Sequence, residues 1–186
     1  MKLLTALRRR LKDRHGFTLV EMLLTTLILL MVSAVVAGGV PAAANAYFKI
    51  VDAANAQILL SNTVTSLRSE LAVASNVETD ASGQMKSFIS NGSGWKKELL
   101  NSTEGIKTKD TTTEGGPMGR GEQLLVPKAL SGTVRTNALI SKYDSIKYDK
   151  STGVFLIENL RVEKGDQILA QISEMTVRSV LPKYSA

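Results

Sequence analysis

Residues 17–41 read FTLVEMLLTTLILLMVSAVVAGGVP, and Arg14, His15 and Gly16 close a basic stretch immediately before them. Glu21 is the only charged side chain in this apolar run. As a helix, the run up to Val40 extends about 36 Å at about 1.5 Å per residue, against a bilayer core of about 30 Å, so it can span a membrane with some tilt. Upstream, residues 1–16 carry Lys2, Arg8, Arg9, Arg10, Lys12 and Arg14 against Asp13 alone. A short basic flank of this kind stays in the cytoplasm and places the rest of the chain outside. The net charge of +6 belongs to this leader, because six of the 23 basic and one of the 17 acidic side chains fall within it. The body is close to neutral, which argues against a folded basic face for nucleic acid.

Downstream, the helical pattern continues. From Tyr47 onward Ala53, Ala56, Leu60, Val64, Leu67, Leu71 and Ala74 recur at three- and four-residue steps, one face of a helix, with Asp52, Asn55, Asn62, Arg68, Ser69 and Glu70 largely elsewhere. One helix from about Phe17 to about Ala74 is the economical reading. Gly38, Gly39 and Pro41 are its soft spot, because glycine weakens a helix interior by about 1 kcal/mol and proline by about 3 kcal/mol. They predict a bend or a segment able to unwind. Residues 79–121 are rich in Gly, Ser, Thr and Asn and read as a long exposed connection with short ordered pieces, in which Trp95 beside Lys96 and Lys97 is either an adhesive spot or a tryptophan tucked onto the domain. Residues 122–181 read as a meander: Gln123–Val126, then Ile146 and Tyr148, then Val154–Ile157, then Ile168, Ala170 and Ile172, then Met175 and Val177. The signals Lys150-Ser151-Thr152-Gly153 and Lys164-Gly165-Asp166 mark turns between them. An apolar sheet face needs a cover, and the helix offers a matching stripe, so the fold class is α+β.

The 186 residues include no cysteine and one histidine. That excludes a disulfide framework, a thiolate metal site, a cysteine nucleophile and a multi-histidine metal site. His15 lies in the basic leader and is assigned no catalytic role. Asp144, Asp149 and Asp166 lie near turns, where aspartate is structurally favoured, and no carboxylate pair stands out as an acid/base couple. The sequence predicts no enzyme, no cofactor and no metal.

Glu21 carries the functional argument. A carboxylate in a bilayer costs about 2.5–3.5 kcal/mol on insertion scales and calls for a partner. Glu21 lies four residues, one helical turn, after Phe17. If the chain is cut after Gly16, Phe17 gains a free α-amine one turn from the acid, and between adjacent subunits that carboxylate can take the neighbour's amine.

The string Gly16-Phe17-Thr18-Leu19-Val20-Glu21, after a short basic leader and before a long apolar helix, resembles the processing motif of type IV prepilins and type II secretion pseudopilins. Tyr148-Asp149 followed by Gly153 and apolar strands is similar to pseudopilin-type sheets. The resemblance implies a pilin-like fold, a long N-terminal helix whose first half spans the membrane, packed on a C-terminal antiparallel β-sheet. It implies cleavage of the Gly16–Phe17 bond by prepilin peptidase, N-methylation of Phe17 and a role for Glu21 in subunit docking. The family's helix-breaking proline usually falls slightly earlier; here Gly38 and Gly39 occupy that neighbourhood and Pro41 follows.

The expected organisation is a leader at 1–16, the membrane-spanning half of the helix at 17–40, its amphipathic half at 41–78, and a variable loop with an antiparallel sheet at 79–186. The expected function is that of a structural subunit of a type IV pilus-like filament. Its partners would be prepilin peptidase, other pilin or pseudopilin subunits, an inner-membrane assembly platform and membrane lipid. Before assembly it would be a single-pass protein of the cytoplasmic membrane, N-terminus inside, and afterwards part of a cell-surface or periplasmic filament. Pilus, secretion and competence systems, and major and minor subunits, share this plan. The alternative is a secreted or membrane-anchored extracellular binding protein, with signal peptidase cutting after Ala46 in the Ala44-Asn45-Ala46 site. Against it stand the length of the apolar run, beyond the usual 7–15 or so residues of a signal core, and the acid inside it.

Overall fold

A computed structural model of the chain describes residues 18–91, 93–111, 121–129 and 138–180. Among the described residues one helix, α1 (Leu19–Ala72), is followed by nine strands: β1 (Ala74–Thr79), β2 (Met85–Ser90), β3 (Trp95–Ser102), β4 (Gly105–Asp110), β5 (Glu122–Leu124), β6 (Ile140–Lys142), β7 (Ser145–Asp149), β8 (Val154–Lys164) and β9 (Gln167–Arg178). The contacts divide the chain into two compact units, residues 1–46 and 47–186, with α1 continuous through the boundary.

In the first unit the described residues are helical from Leu19 onward, and none of them is buried. Among the described residues α1 is the one helix long and apolar enough to cross a membrane. It runs unbroken through Gly38, Gly39 and Pro41. Proline has no N–H, so the Ala37 carbonyl loses its usual i+4 donor there.

The second unit is α+β: the last turns of α1 pack on two antiparallel sheets. Sheet one is a plain meander, β1-β2-β3-β4-β5. In sheet two β8 is central: β9 runs along its whole length, and β7 and then β6 share its other side. From α1, Ala56, Leu59, Leu60, Leu67 and Leu71 enter the core. The sheets supply Phe88, Leu99, Ile106, Ile146, Phe155, Ile157, Leu160, Val162, Met175 and Val177.

The end of the helix is tied down. Its last carbonyls have no partner within the helix. Here Ala72 O accepts from Val180 N at 2.8 Å and Val73 O from Asn91 N at 3.4 Å, while Ala74 O, the first of β1, accepts from Ser179 Oγ at 2.8 Å. The helix therefore stops two residues before the expected end, and residues 74–79 are β1 rather than the close of an amphipathic helix.

The larger correction concerns residues 79–121. Residues 85–110 are not a loop but three consecutive strands, β2 to β4. Their apolar content is low because several inward positions are polar and satisfied. Buried Ser87 donates to Glu78 Oε2 at 2.9 Å, and buried Ser90 donates to Glu70 Oε2 at 2.9 Å. Lys97 Nζ also meets Glu70, at 3.1 Å. Cross-strand pairing and a carboxylate at each serine hold a sheet that hydropathy alone does not reveal.

In sheet two the runs at Ile146–Tyr148 and Val154–Ile157 fall on β7 and β8, the two runs at 168–172 and 175–177 form the single strand β9, and β6 is an addition to the expected set. The phase break between Ile172 and Met175 on β9 has a counterpart on β8, where the buried positions step from Phe155 and Ile157 to Leu160 and Val162. Asn159 sits between them with φ 51°, where the partner of β8 changes from β7 to β6. Its side-chain amide donates to Asp144 Oδ2 at 2.8 Å, and Asp144 also pairs with Arg161. The two sheets are joined at Tyr143, whose hydroxyl donates to Leu99 O at 2.7 Å and whose backbone exchanges hydrogen bonds with the Asn101 side chain.

Candidate functional site

The start of α1 is closed by a reciprocal cap. Thr18 is the N-cap and Glu21 the third helical residue. Glu21 N–H donates to Thr18 Oγ1 at 3.3 Å, while the Thr18 N–H and hydroxyl each donate to Glu21 Oε2 at 3.0 Å. This capping box satisfies donors that a helix start otherwise leaves orphaned, and the carboxylate also faces the positive end of the helix dipole. Glu21 thus has a partner within its own chain. Thr18-x-x-Glu21 is a capping signature in the sequence itself, separate from the neighbour's amine. Farther along, Thr25 Oγ1 donates to Glu21 O at 2.8 Å, Thr26 Oγ1 to Leu23 O at 2.9 Å and Ser33 Oγ to Leu29 O at 2.8 Å. Each hydroxyl of this apolar stretch is therefore satisfied by its own helix, a requirement inside a bilayer.

Gly16 and Phe17 lie outside the described residues. Gly38 and Gly39 are exposed, and a Cβ built on either meets nothing within 4 Å, so neither is needed for close packing inside this chain.

The second unit adds an exposed side to α1. Opposite the core stripe, Tyr47, Ile50, Ala54, Ile58, Ser61 and Thr65 follow one another at three- and four-residue steps, all exposed. Ile50 keeps 68% and Ile58 59% of its surface. A surface helix normally carries charge on this side. From Met22 to Leu67, however, the exposed surface of α1 carries a single charged side chain, Lys49, because Asp52 is buried.

Asp52 is a second residue that the sequence pattern misplaced. Ala53, on the expected stripe, is exposed. The helix instead turns Asp52 inward, four residues before Ala56, where its Oδ2 meets Lys164 Nζ at 2.5 Å. Stepping back by four from Leu60 and Ala56 lands on Asp52, so the signal was present.

The other sequence candidates resolve into structure. Trp95 is half-buried at a cavity of about 100 Å³, with Lys97, Thr108, Asp110 and Gln123 among its lining. Asp149 builds the β7–β8 turn: Oδ1 accepts from Ser151 N at 2.8 Å and from Ser151 Oγ at 2.6 Å, and Oδ2 from Thr152 Oγ1 at 2.7 Å. Those hydrogen bonds, led by the Ser151 and Thr152 hydroxyls, pull its carboxyl down to about 2. Asp166 lies in the β8–β9 turn. Among the described residues no group of three or more His, Asp or Glu side chains is arranged to hold a metal ion.

Residues 11–37 match the family model of the prokaryotic N-terminal methylation motif. This is the type IV pilin and pseudopilin signature, and it spans the end of the leader, Gly16, Phe17, the Thr18–Glu21 cap and the first turns of the apolar helix. No curated protein and no solved structure matches the chain. The motif implies processing by prepilin peptidase and assembly with other pilin subunits, and the apolar helix fits membrane anchoring of a pilin precursor.

Proposed function

We propose that this chain, which carries the type IV pilin signature, is a structural subunit of a pilus-like filament whose assembly surface is the charge-poor side of α1. Prepilin peptidase cuts Gly16–Phe17 and methylates the Phe17 amine. The mature subunit then waits in the cytoplasmic membrane with residues 47–186 outside, and an inner-membrane platform adds it to the filament. The observation that carries this reading is the exposed surface of α1. Its first part suits lipid. Its second part, from Tyr47 to Thr65, carries no exposed charge besides Lys49 where water would be expected to select charge, and it offers small residues beside Ile50 and Ile58 for a neighbouring helix.

In this reading Glu21 has two partners in turn: its own Thr18 in the monomer and the Phe17 amine of an adjacent subunit in the filament. The local cap lowers the cost of holding the acid in the membrane before assembly. Within the filament, removing the acid leaves the neighbour's amine uncompensated, at about 3–5 kcal/mol for a buried site. Glu21→Ala is therefore expected to be cut and to remain membrane-bound, yet to be depleted from the sheared-filament fraction. Normal incorporation would remove the docking role, and loss of cutting would move Glu21 to peptidase recognition.

Mass spectrometry of the mature N-terminus tests the processing directly. The expected chain begins at N-methylated Phe17. A chain beginning at Tyr47 would identify Ala44-Asn45-Ala46 as a signal-peptidase site and the protein as a released extracellular domain.

A further inference from the structure

We infer that Asp52 and Lys164 form a clasp marking where α1 becomes held, so that the helix before it can bend or unwind without the disturbance entering the core. This rests on the fold and does not depend on the proposed assembly. Asp52 is the first buried residue of α1: no described residue before it is buried, and Ala56, Leu59, Leu60, Thr63, Leu67 and Leu71 follow. Its side chain is 7% exposed. A carboxylate at that depth needs a partner, and Lys164 provides one from the last residue of β8, 112 positions along the chain. The strand end is fixed on both sides. Lys164 pairs with Gln167 across the hairpin, and Gly165 turns it with φ 60°, a conformation that favours glycine.

The chemistry suits a boundary marker better than a core contact. Apolar contacts are non-directional and tolerate a slipped or frayed helix. An ion pair does not: one helical turn advances about 5.4 Å, and unwinding at Asp52 swings the carboxylate out of reach of the ammonium. Separating a partly buried pair costs more than forming it gains, so the pair resists unwinding at this residue in particular.

The helix just before it is the part with least to hold it. Gly38 and Gly39 weaken it, Pro41 removes a backbone bond, and no residue from Leu19 to Val51 is buried. A weak segment followed directly by a directional pair separates a deformable stretch from a rigid one on a single continuous helix.

Hydrogen exchange read by mass spectrometry on the full-length protein in detergent tests this. Lys164→Gln removes the charge from a part-exposed side chain. The expected result is exchange at least about tenfold faster at residues 52–58, with residues 63–71 and the β8 core unchanged. The reversed pair, Asp52→Lys with Lys164→Asp, should recover part of the protection that Lys164→Gln loses. Unchanged exchange at 52–58 overturns the clasp. Acceleration spread evenly over the whole domain, or loss of the folded circular-dichroism signal, also overturns it, because either makes the pair a general support of the core. Failure of the reversed pair to recover any protection assigns the effect to something other than the pairing of these charges.

Discussion

The two halves of α1 share a shortage of exposed charge as far as Leu67 and differ in what surrounds them. Residues 19–46 have one acid and no buried side chain; residues 47–72 place one stripe in a core and leave the other side exposed. An apolar helix with no partner in its own chain must find one in lipid or in another chain, whereas a striped helix finds half of its partner in its own domain. The lesson is that hydrophobicity alone does not distinguish these fates. The buried half is recognised by its period, the unburied half by the lack of one. What links them is the shortage of exposed charge, which continues about 25 residues past the span as the sequence reading bounds it.

Substitutions should separate the halves. The largest expected effect is at Leu67, fully buried: Leu67→Ala should cost about 2–5 kcal/mol in chemical denaturation of the domain. Leu27→Ala in the first half, at a side chain 54% exposed, should leave that transition unmoved within about 0.5 kcal/mol. Equal effects at the two sites would erase the distinction.

Alkaline pH sharpens it in another way. Burial raises the Tyr143 hydroxyl to about 12, above its ordinary value near 10. Between those values the folded state keeps a proton that the unfolded state releases, so this stability is intact below about pH 10 and is lost as pH rises through about 12. The loss is on the order of 2 kcal/mol. Absorbance at the phenolate band should show a tyrosine ionising near pH 12, later than Tyr148, which burial and Asp149 also raise, and Tyr143→Phe should abolish that last step. The helix of residues 19–46, in detergent, should not respond over the same range.

How much of this could be read from residues alone follows the same physics. The long helix, the meander of residues 145–178 and its two glycine turns are strong patterns, because each buries an apolar face with a clear period or has a turn that needs left-handed backbone. The strands of residues 85–110 are not, because their inward positions include Ser87, Ser90 and Lys97, which are acceptable only where Glu78 and Glu70 arrive from elsewhere in the chain. Asp52 lies in step with Ala56 and Leu60, but an aspartate is acceptable at that buried position only because Lys164, 112 positions away, meets it. At the candidate site the Gly16–Phe17 and Glu21 positions were legible as a motif. The capping role of Thr18 is legible too, in the Thr18-x-x-Glu21 spacing.

A smaller effect is expected at the helix start. Thr18→Ala removes the N-cap hydroxyl and should cost about 1 kcal/mol of local helix stability, seen as faster amide exchange at residues 19–22 with the domain unaffected. If the cap is the monomer's substitute for a neighbour's amine, the exchange difference should shrink once subunits are in filaments.

The central claim is that the outward side of α1 in the second half continues the assembly surface of the first. Ile58→Lys is the sharpest probe, because Ile58 is exposed and lies on the side of α1 opposite the core stripe. The account predicts unchanged domain unfolding, unchanged cutting after Gly16 and unchanged membrane association, with the variant strongly depleted from sheared filaments. Filament incorporation equal to that of the unaltered chain would contradict it.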